Sequence, residues 1–338
     1  MSVTISDIAR LANVSKATVS AVLNDRPGIS QETRNRVMEI VKSLNYRPSH
    51  VARSLSKRTT RSIGLVIKEI DNPFYAKVMK GVFEACSNLG YTVLLGSSEL
   101  SPTKELQIIE TLTVQRVDGL LISPLQGDDV DFTYISELLR ENYPLVMLGA
   151  VKNYPTNVVE IDNVEAASKA VEYLIEQGHE DIAYFSGPYY SAHSEDRGDG
   201  YKRALINRHL PIHPNRIIPA GSYIENGYQK GKELFSNSKS HPSAVLCYND
   251  LVAIGVINAI FELGLQVPED VSVIGFDDID FCESFRVPLT TVHIPTDRIG
   301  ATAAELVIEQ IGQREKPLNR KVILDGELVI RDSCAKKD

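Results

Sequence analysis

Apolar residues over the first fifty positions recur at helical spacing, and the pattern is broken twice. Ile8, Ala9 and Ala12 share one helical face. The preceding Thr4-Ile5-Ser6-Asp7 has the hydroxyl-to-carboxylate spacing of a capping box, which satisfies orphan amides at a helix start. Asn13-Val14 interrupts the pattern. Ser15 can cap a second helix whose inward residues are Val19, Val22 and Leu23. Asn24 to Gly28 holds Asn, Asp, Pro and Gly, a loop signal. Ser30 can cap a third helix, in which Val37, Ile40, Val41 and Leu44 follow the i, i+3, i+4, i+7 rule until Arg47-Pro48 ends it. Residues 49–61 are basic and polar. Val51, Ala52 and Leu55 would make only a small apolar stripe there, too short to stay helical alone in water, so order should depend on a partner.

From Ser62 onward the period alternates. Short apolar runs at 63–67, 91–95, 118–123, 145–148, 158–161, 182–186, 244–247, 271–276 and 289–292 read as strands. Segments at 74–89, 104–115, 130–141, 163–177, 195–207, 226–235, 250–263 and 297–311 read as helices. Strands separated by helices imply parallel sheets covered on both faces, here as two stacked α/β lobes. Ligands of such sheets bind beyond the carboxyl ends of the strands, which directs attention to the residues just after each strand.

Composition changes this picture in one respect. The chain has 338 residues, 43% hydrophobic and 24% charged, which suits about two or three ordinary globular domains and excludes collagen-like or wholly disordered classes. The net charge of −8 conceals a split: residues 1–61 carry eleven Lys and Arg against four Asp and Glu, or +7, and the remainder carries −15. A basic head on an acidic body suggests a polyanion-binding module fused to something else. Cys86, Cys247, Cys282 and Cys334 have no CxxC spacing and no His cluster beside them, so free thiols are expected. The start has no signal organisation, and apolar stretches fall far short of the roughly 18 residues of a membrane helix, so the expectation is a soluble cytoplasmic protein. Phosphate-loop, dinucleotide, nucleophile-elbow and zinc-protease motifs are absent, and the adjacent Asp277-Asp278 diverge on an extended segment. No enzyme, cofactor or metal is expected.

The run from Thr4 to Asn24 is a helix-turn-helix pattern, and a second helix of this kind lies in the major groove of DNA. The stretch from Val3 to Arg53 resembles the lactose-repressor (LacI/GalR) family of bacterial transcription regulators. Further matches are Asp71-Asn-Pro-Phe-Tyr75, Val117-Asp-Gly-Leu-Leu121, Gly178-His179, Ser186-Gly-Pro188, Tyr248-Asn-Asp250, the run from Val267 to Asp278, Pro288-Leu-Thr-Thr-Val292 and Arg331-Asp-Ser-Cys334, so the resemblance covers essentially the whole chain. It implies an all-α helix-turn-helix head on an α/β body of two Rossmann-like doubly wound lobes of periplasmic-binding-protein type. The implied divisions are a DNA-binding domain at 1–48, a hinge helix and linker at 49–61, one lobe at 62–161 plus 291–321, and the other at 162–290 plus 322–338. Chain crossings are then expected near Ile161, Thr290 and Val322.

The resemblance also implies a function: a homodimeric repressor of a palindromic double-stranded operator, nucleoid-associated when bound, under allosteric control by a small molecule between the lobes. Lys16, Ala17 and Ala21 fall at base-contacting positions. Ser15, Thr18, Ser20 and Asn24 resemble the phosphate-contacting and supporting set, and Ala52 and Leu55 match a hinge that wedges into the minor groove. Ala21 departs from the Arg or His often found there. Strand ends and family pattern together nominate Asp71, Asn72, Phe74, Tyr75, Ser123, Ser191, His193, Arg197, Tyr223, Asn249 and Asp277 for the effector, a set that suits a polyhydroxylated, sugar-like ring, with a sugar or sugar phosphate favoured and a nucleoside or base as the alternative. Six of them have a plainer reading. Asp277 and Asn249 could cap helices, Phe74 and Tyr75 could be core, His193 could be a solvated loop residue, and Arg197 could pair with Glu195 or Asp199. Gly149-Ala150 replaces a common Asp-Arg, and Gly221-Ser-Tyr223 replaces Gly-Asp-Phe, so polar cleft contacts differ from the family pattern. With no leucine heptad tail, a dimer is expected and not a tail-assembled tetramer.

Overall fold

Local sequence signals build the head much as their spacing suggests. The computed structural model describes residues 3–46, 59–127, 130–189, 191–236, 241–313 and 319–337. The chain divides into two units, a head through Thr60 and a body from Arg61. In the head, α1 (Ile5–Ala12) opens on the capping box, with the Asp7 amide donating to Thr4 Oγ1 and the Thr4 amide donating to Asp7 Oδ2 at 3.0 Å. Asn13 ends it in the left-handed region at φ 50°, tolerable for Asn. Ser15 caps α2 (Lys16–Leu23) by accepting the Thr18 amide at 3.0 Å, and Ser30 caps α3 (Gln31–Ser43). Ile8, Ala9, Ala12, Val19, Val22, Val37 and Val41 form the buried core. Leu23, Ile40 and Leu44 only flank it, and α3 stops at Ser43, short of the expected Arg47-Pro48.

The body holds two six-stranded sheets. The first contains β1 (Ser62–Ile67), β2 (Thr92–Ser97), β3 (Gly119–Ile122), β4 (Leu145–Leu148), β5 (Asn157–Ile161) and, from far along the chain, β11 (Lys321–Leu324), in the order β11-β5-β4-β3-β1-β2 and parallel throughout. The second contains β6 (Ile182–Ser186), β7 (Ile217–Pro219), β8 (Ala244–Cys247), β9 (Ser272–Asp277), β10 (Thr290–His293) and β12 (Glu327–Val329), in the order β12-β10-β9-β8-β6-β7. Only β12 runs antiparallel, to β10. Strand pairing therefore moves two chain crossings: β10 stays in the second sheet through His293, beyond the expected Thr290, and β11 stays in the first through Leu324, beyond the expected Val322. Three- and four-residue edge strands such as β7, β11 and β12 carry too few residues for a pattern to mark.

The helices are α4 (Pro73–Asn88), α5 (Pro102–Val114), α6 (Thr133–Arg140), α7 (Asn163–Glu176), α8 (Ala192–Asn207), α9 (Ile224–Phe235), α10 (Asp250–Glu262), the one-turn α11 (Phe281–Ser284) and α12 (Thr296–Gly312). α12 crosses back from the second lobe to pack on α4. Glycine permits this: a Cβ at Gly300 would lie 2.1 Å from the Val78 carbonyl oxygen. No helix among the described residues is long and apolar enough to cross a membrane.

Candidate functional site

In the head, the amino end of α2 carries Ser15, Lys16, Ala17 and Thr18. Ser15 and Thr18 are engaged with one another, Oγ to Oγ1 at 2.9 Å. Lys16 and Ala17 are exposed. A cation at the first position of a helix opposes the macrodipole and contributes nothing to its stability. Asn24 donates its side-chain amide to the Ser20 carbonyl at 2.8 Å and so finishes the helix. Ala52 and Leu55 lie outside the described residues.

In the body, the carboxyl ends of the strands face one another across a cleft of about 860 Å³, its open mouth included. Arg197, from α8, is the hub. Its side chain is 5% exposed, its Nε donates to Asn163 Oδ1 at 2.9 Å, one terminal nitrogen donates to the Tyr248 carbonyl, and the other lies 3.5 Å from Asp277 Oδ1. The guanidinium sits 3.7 Å from the Phe276 ring centroid and 4.9 Å from that of Tyr248. A buried carboxylate without its cation would be strongly unfavourable, so this pair is held as a unit. Burial pushes the Asp277 carboxyl up, and Arg197 opposes the shift.

The backbone that presents Asp277 is strained: φ is +113° there and +57° at Asp278. Asp250, fully buried at the start of α10, fixes the turn by accepting the Ile279 amide at 2.9 Å and the Thr291 hydroxyl at 2.6 Å. Asp278 accepts from Arg331 at 2.8 Å, tying the turn to the last segment of the chain.

Around this hub, Tyr75 and Ser123 share a hydrogen bond of 3.0 Å, Ser191 and Tyr248 one of 2.9 Å, and Asn163 Nδ2 and His193 Nδ1 one of 3.2 Å. Desolvation first, then Lys68 and Arg197, push His193 down to about 3, so its ring is neutral. Glu69 accepts from Tyr223 Oη across the lobes and from Asn72 at 3.4 Å. Lys77 bridges the lobes a second time, 2.7 Å from Asp280.

Comparison with known proteins resolves what this pairing of units is. Residues 4–49 match the model for bacterial regulatory proteins of the lacI family, and 171–334 match a periplasmic binding protein-like domain. The repressor PurR of Photobacterium profundum is 36% identical over 333 residues, covering 98% of each chain. The chain belongs to the lacI family of bacterial transcriptional regulators. The lac repressor dimer, solved with operator and the anti-inducer ONPF, covers 99% of this chain and all of its own at TM-score 0.88 and 26% identity. The regulator CelR, solved with cellobiose, covers 98% of this chain and 99% of its own at TM-score 0.73 and 29% identity. As a lacI-family member the protein is a DNA-binding transcriptional regulator and not an enzyme.

Within this lacI-family body, Asn72, Phe74, Tyr75, Ser123, Ser191, His193, Arg197, Asn249 and Asp277 line the cleft. Two expected residues do not. Asp71 is exposed, turned outward one residue before the cap of α4. Tyr223 stands at the rim, 41% exposed, and donates its hydroxyl to Glu69 of the cleft lining. Asn249 does cap a helix, accepting the Val252 amide, and its other end donates to the Ser222 carbonyl at 3.0 Å. Arg197 pairs with neither Glu195 nor Asp199, and His193 lines the cleft instead of sitting in a solvated loop. Lys68, Glu69, Glu160, Asn163 and Tyr248 also line it and were not anticipated. Lys68, Glu69 and Tyr248 follow strand ends directly, so the strand-end rule applied from the first residue beyond each strand would have found them.

Gly149, where the family often has Asp, has a reason in the fold. Its φ is +104°, and a Cβ there would lie 3.1 Å from His193 Cε1. Glycine gives the imidazole its place in the cleft. Gly149→Ala is expected to lower stability by about 1–3 kcal/mol through backbone strain and to displace His193. Thermal denaturation should register the first effect, and a weakened ligand response the second. An unchanged response would show that His193 does not need that space.

Proposed function

We propose that the protein is a dimeric repressor that binds a palindromic operator through its heads, and that a small polyhydroxylated molecule between the lobes sets its operator affinity. The carrying observation is the buried Arg197–Asp277 pair at the floor of the cleft, ringed by Asn72, Ser123, Ser191 and Asn249. A carboxylate that accepts from vicinal hydroxyls and a guanidinium that donates to ring oxygens suit such a ligand, with the Phe74 ring available to an apolar sugar face. CelR, of the same fold, was solved with cellobiose. The +7 charge of residues 1–61 supports the operator reading, since it supplies the salt-dependent part of DNA affinity. Dimerisation would present two heads to two half-sites, as in the lac repressor dimer solved on its operator. Action on DNA places the protein in the cytoplasm.

Titration of a palindrome from its own promoter region, with and without sugars, tests this. A ligand-dependent change of about 5–150-fold in operator affinity, in either direction, is expected. No binding to any such fragment would overturn the proposal. Within the head, Lys16→Ala should weaken binding at one symmetric base position by about 1–3 kcal/mol and leave sequence variants elsewhere unaffected. A uniform loss across all sequences would assign Lys16 to a phosphate instead.

A further inference from the structure

Lys68 is the first residue beyond β1, it lines the cleft, and it is 8% exposed. Its ammonium forms no hydrogen bond and no ion pair with any described residue. Glu105 and Glu69 act on it from beyond ion-pair distance, Arg197 repels it, and burial pushes it down to about 8.

The other charges of the cleft are engaged. Arg197 holds Asp277, Glu160 holds Lys321 at 2.7 Å and the Ala150 amide at 2.9 Å, and Glu69 is held by Tyr223 and Asn72. The charges that act on the neutral His193 ring are Lys68 and Arg197, both positive. Every carboxylate lining the cleft thus has a protein partner, and one buried cation does not. Leaving an ammonium in that position is unfavourable unless something else brings the countercharge.

Resting on the effector reading above, we propose that the effector carries a carboxylate, as a sugar acid does, and that Lys68 Nζ is its seat beside the His193 ring. A carboxylate matches the single unpartnered charge. A dianionic phosphate would add two negative charges to a cleft already lined by Glu69, Glu160 and Asp277.

Two measurements on the full-length chain test this, one of them independent of the ligand. Lys68→Met removes an unpaired buried charge at similar length, so the ligand-free body should melt at a higher temperature than the wild type. A lower melting temperature would make Lys68 a structural partner of Glu105 and overturn the proposal. In the second, gluconate, glucuronate and galacturonate, glucose 6-phosphate, neutral glucose and cellobiose, and guanine are each titrated while melting temperature and operator affinity are followed. A sugar acid should shift both, and Lys68→Met should weaken its binding about tenfold or more, the usual size of a charged hydrogen bond. A shift by glucose 6-phosphate alone would overturn the carboxylate. A neutral sugar or guanine that acts equally on both proteins would overturn the anionic seat and leave the effector reading standing. No shift by any of them, with operator binding intact, would overturn both.

Discussion

Arg197→Ala should abolish the ligand response and lower the melting temperature of the body on the order of 10 °C. Removing one partner of a buried ion pair costs about 3–5 kcal/mol, because the other charge stays buried and uncompensated, and that loss converts to roughly 2–4 °C per kcal/mol in a domain of this size. Here the stranded group is Asp277, which faces Arg197 at 3.5 Å with 8% of its side chain exposed. The deficit should depend on pH with a definite sign. Burial already raises the folded-state pKa of Asp277 above its ordinary value of 3.8, and Arg197 is the group that opposes this. Without Arg197 the folded value rises further. Well below 3.8 both folded and unfolded chains hold the proton and the carboxyl contributes no penalty. As pH climbs between the unfolded and folded values, the unfolded chain releases a proton that the folded chain keeps, so stability falls. The loss in Arg197→Ala should therefore be larger at pH 8 than at pH 5. Adding Asp277→Asn should restore much of the stability and its pH independence without restoring the ligand response. Thermal denaturation at the two pH values checks this, and an equal loss at both would mean Asp277 is not the stranded charge.

Ile8→Ala should unfold the head and leave the body intact. Ile8 is fully buried in a core of seven residues, the others being Ala9, Ala12, Val19, Val22, Val37 and Val41. Truncating a buried Ile to Ala costs about 2–5 kcal/mol, and a domain near 60 residues has only a few kcal/mol to lose. Operator affinity should fall more than about 100-fold, since 2.8 kcal/mol already corresponds to that factor. Calorimetry should show the low-temperature transition of the head disappear while the body transition stays in place. Leu11→Ala is the contrasting control: Leu11 is 57% exposed, and little change is expected. Operator binding that survives Ile8→Ala would be decisive against this account of the head.

The contrast between these sites marks how far the chain could be read without its fold. The head was legible because its signals are local. Thr4, Ser15 and Ser30 each cap the helix that follows, and the turns at Asn13 and Asn24 fall where the apolar spacing breaks. A capping hydrogen bond spans three residues, so sequence distance and spatial distance nearly coincide. The main strands of the body were legible for a similar reason, since buried parallel strands read as continuous apolar runs. β7, β11 and β12 were not, because their identity depends on partners far away: β11 pairs with β5 across about 160 residues of chain.

By itself, then, the sequence determined the elements, the basic head, the alternating body and the strand ends where a ligand site had to lie. It could place Arg197, His193 and Asp277 in one region. Only the tertiary structure decided how they divide the work. Asp277 meets Arg197 across 80 residues, Tyr223 satisfies Glu69 across 154, and Lys321 reaches Glu160, so those charges are engaged and Lys68 is left facing the cleft without one. Pairing of charges depends on separations of a few ångströms between distant parts of the chain. Those distances are set by how sheets and helices close on one another, and no spacing along the sequence encodes them.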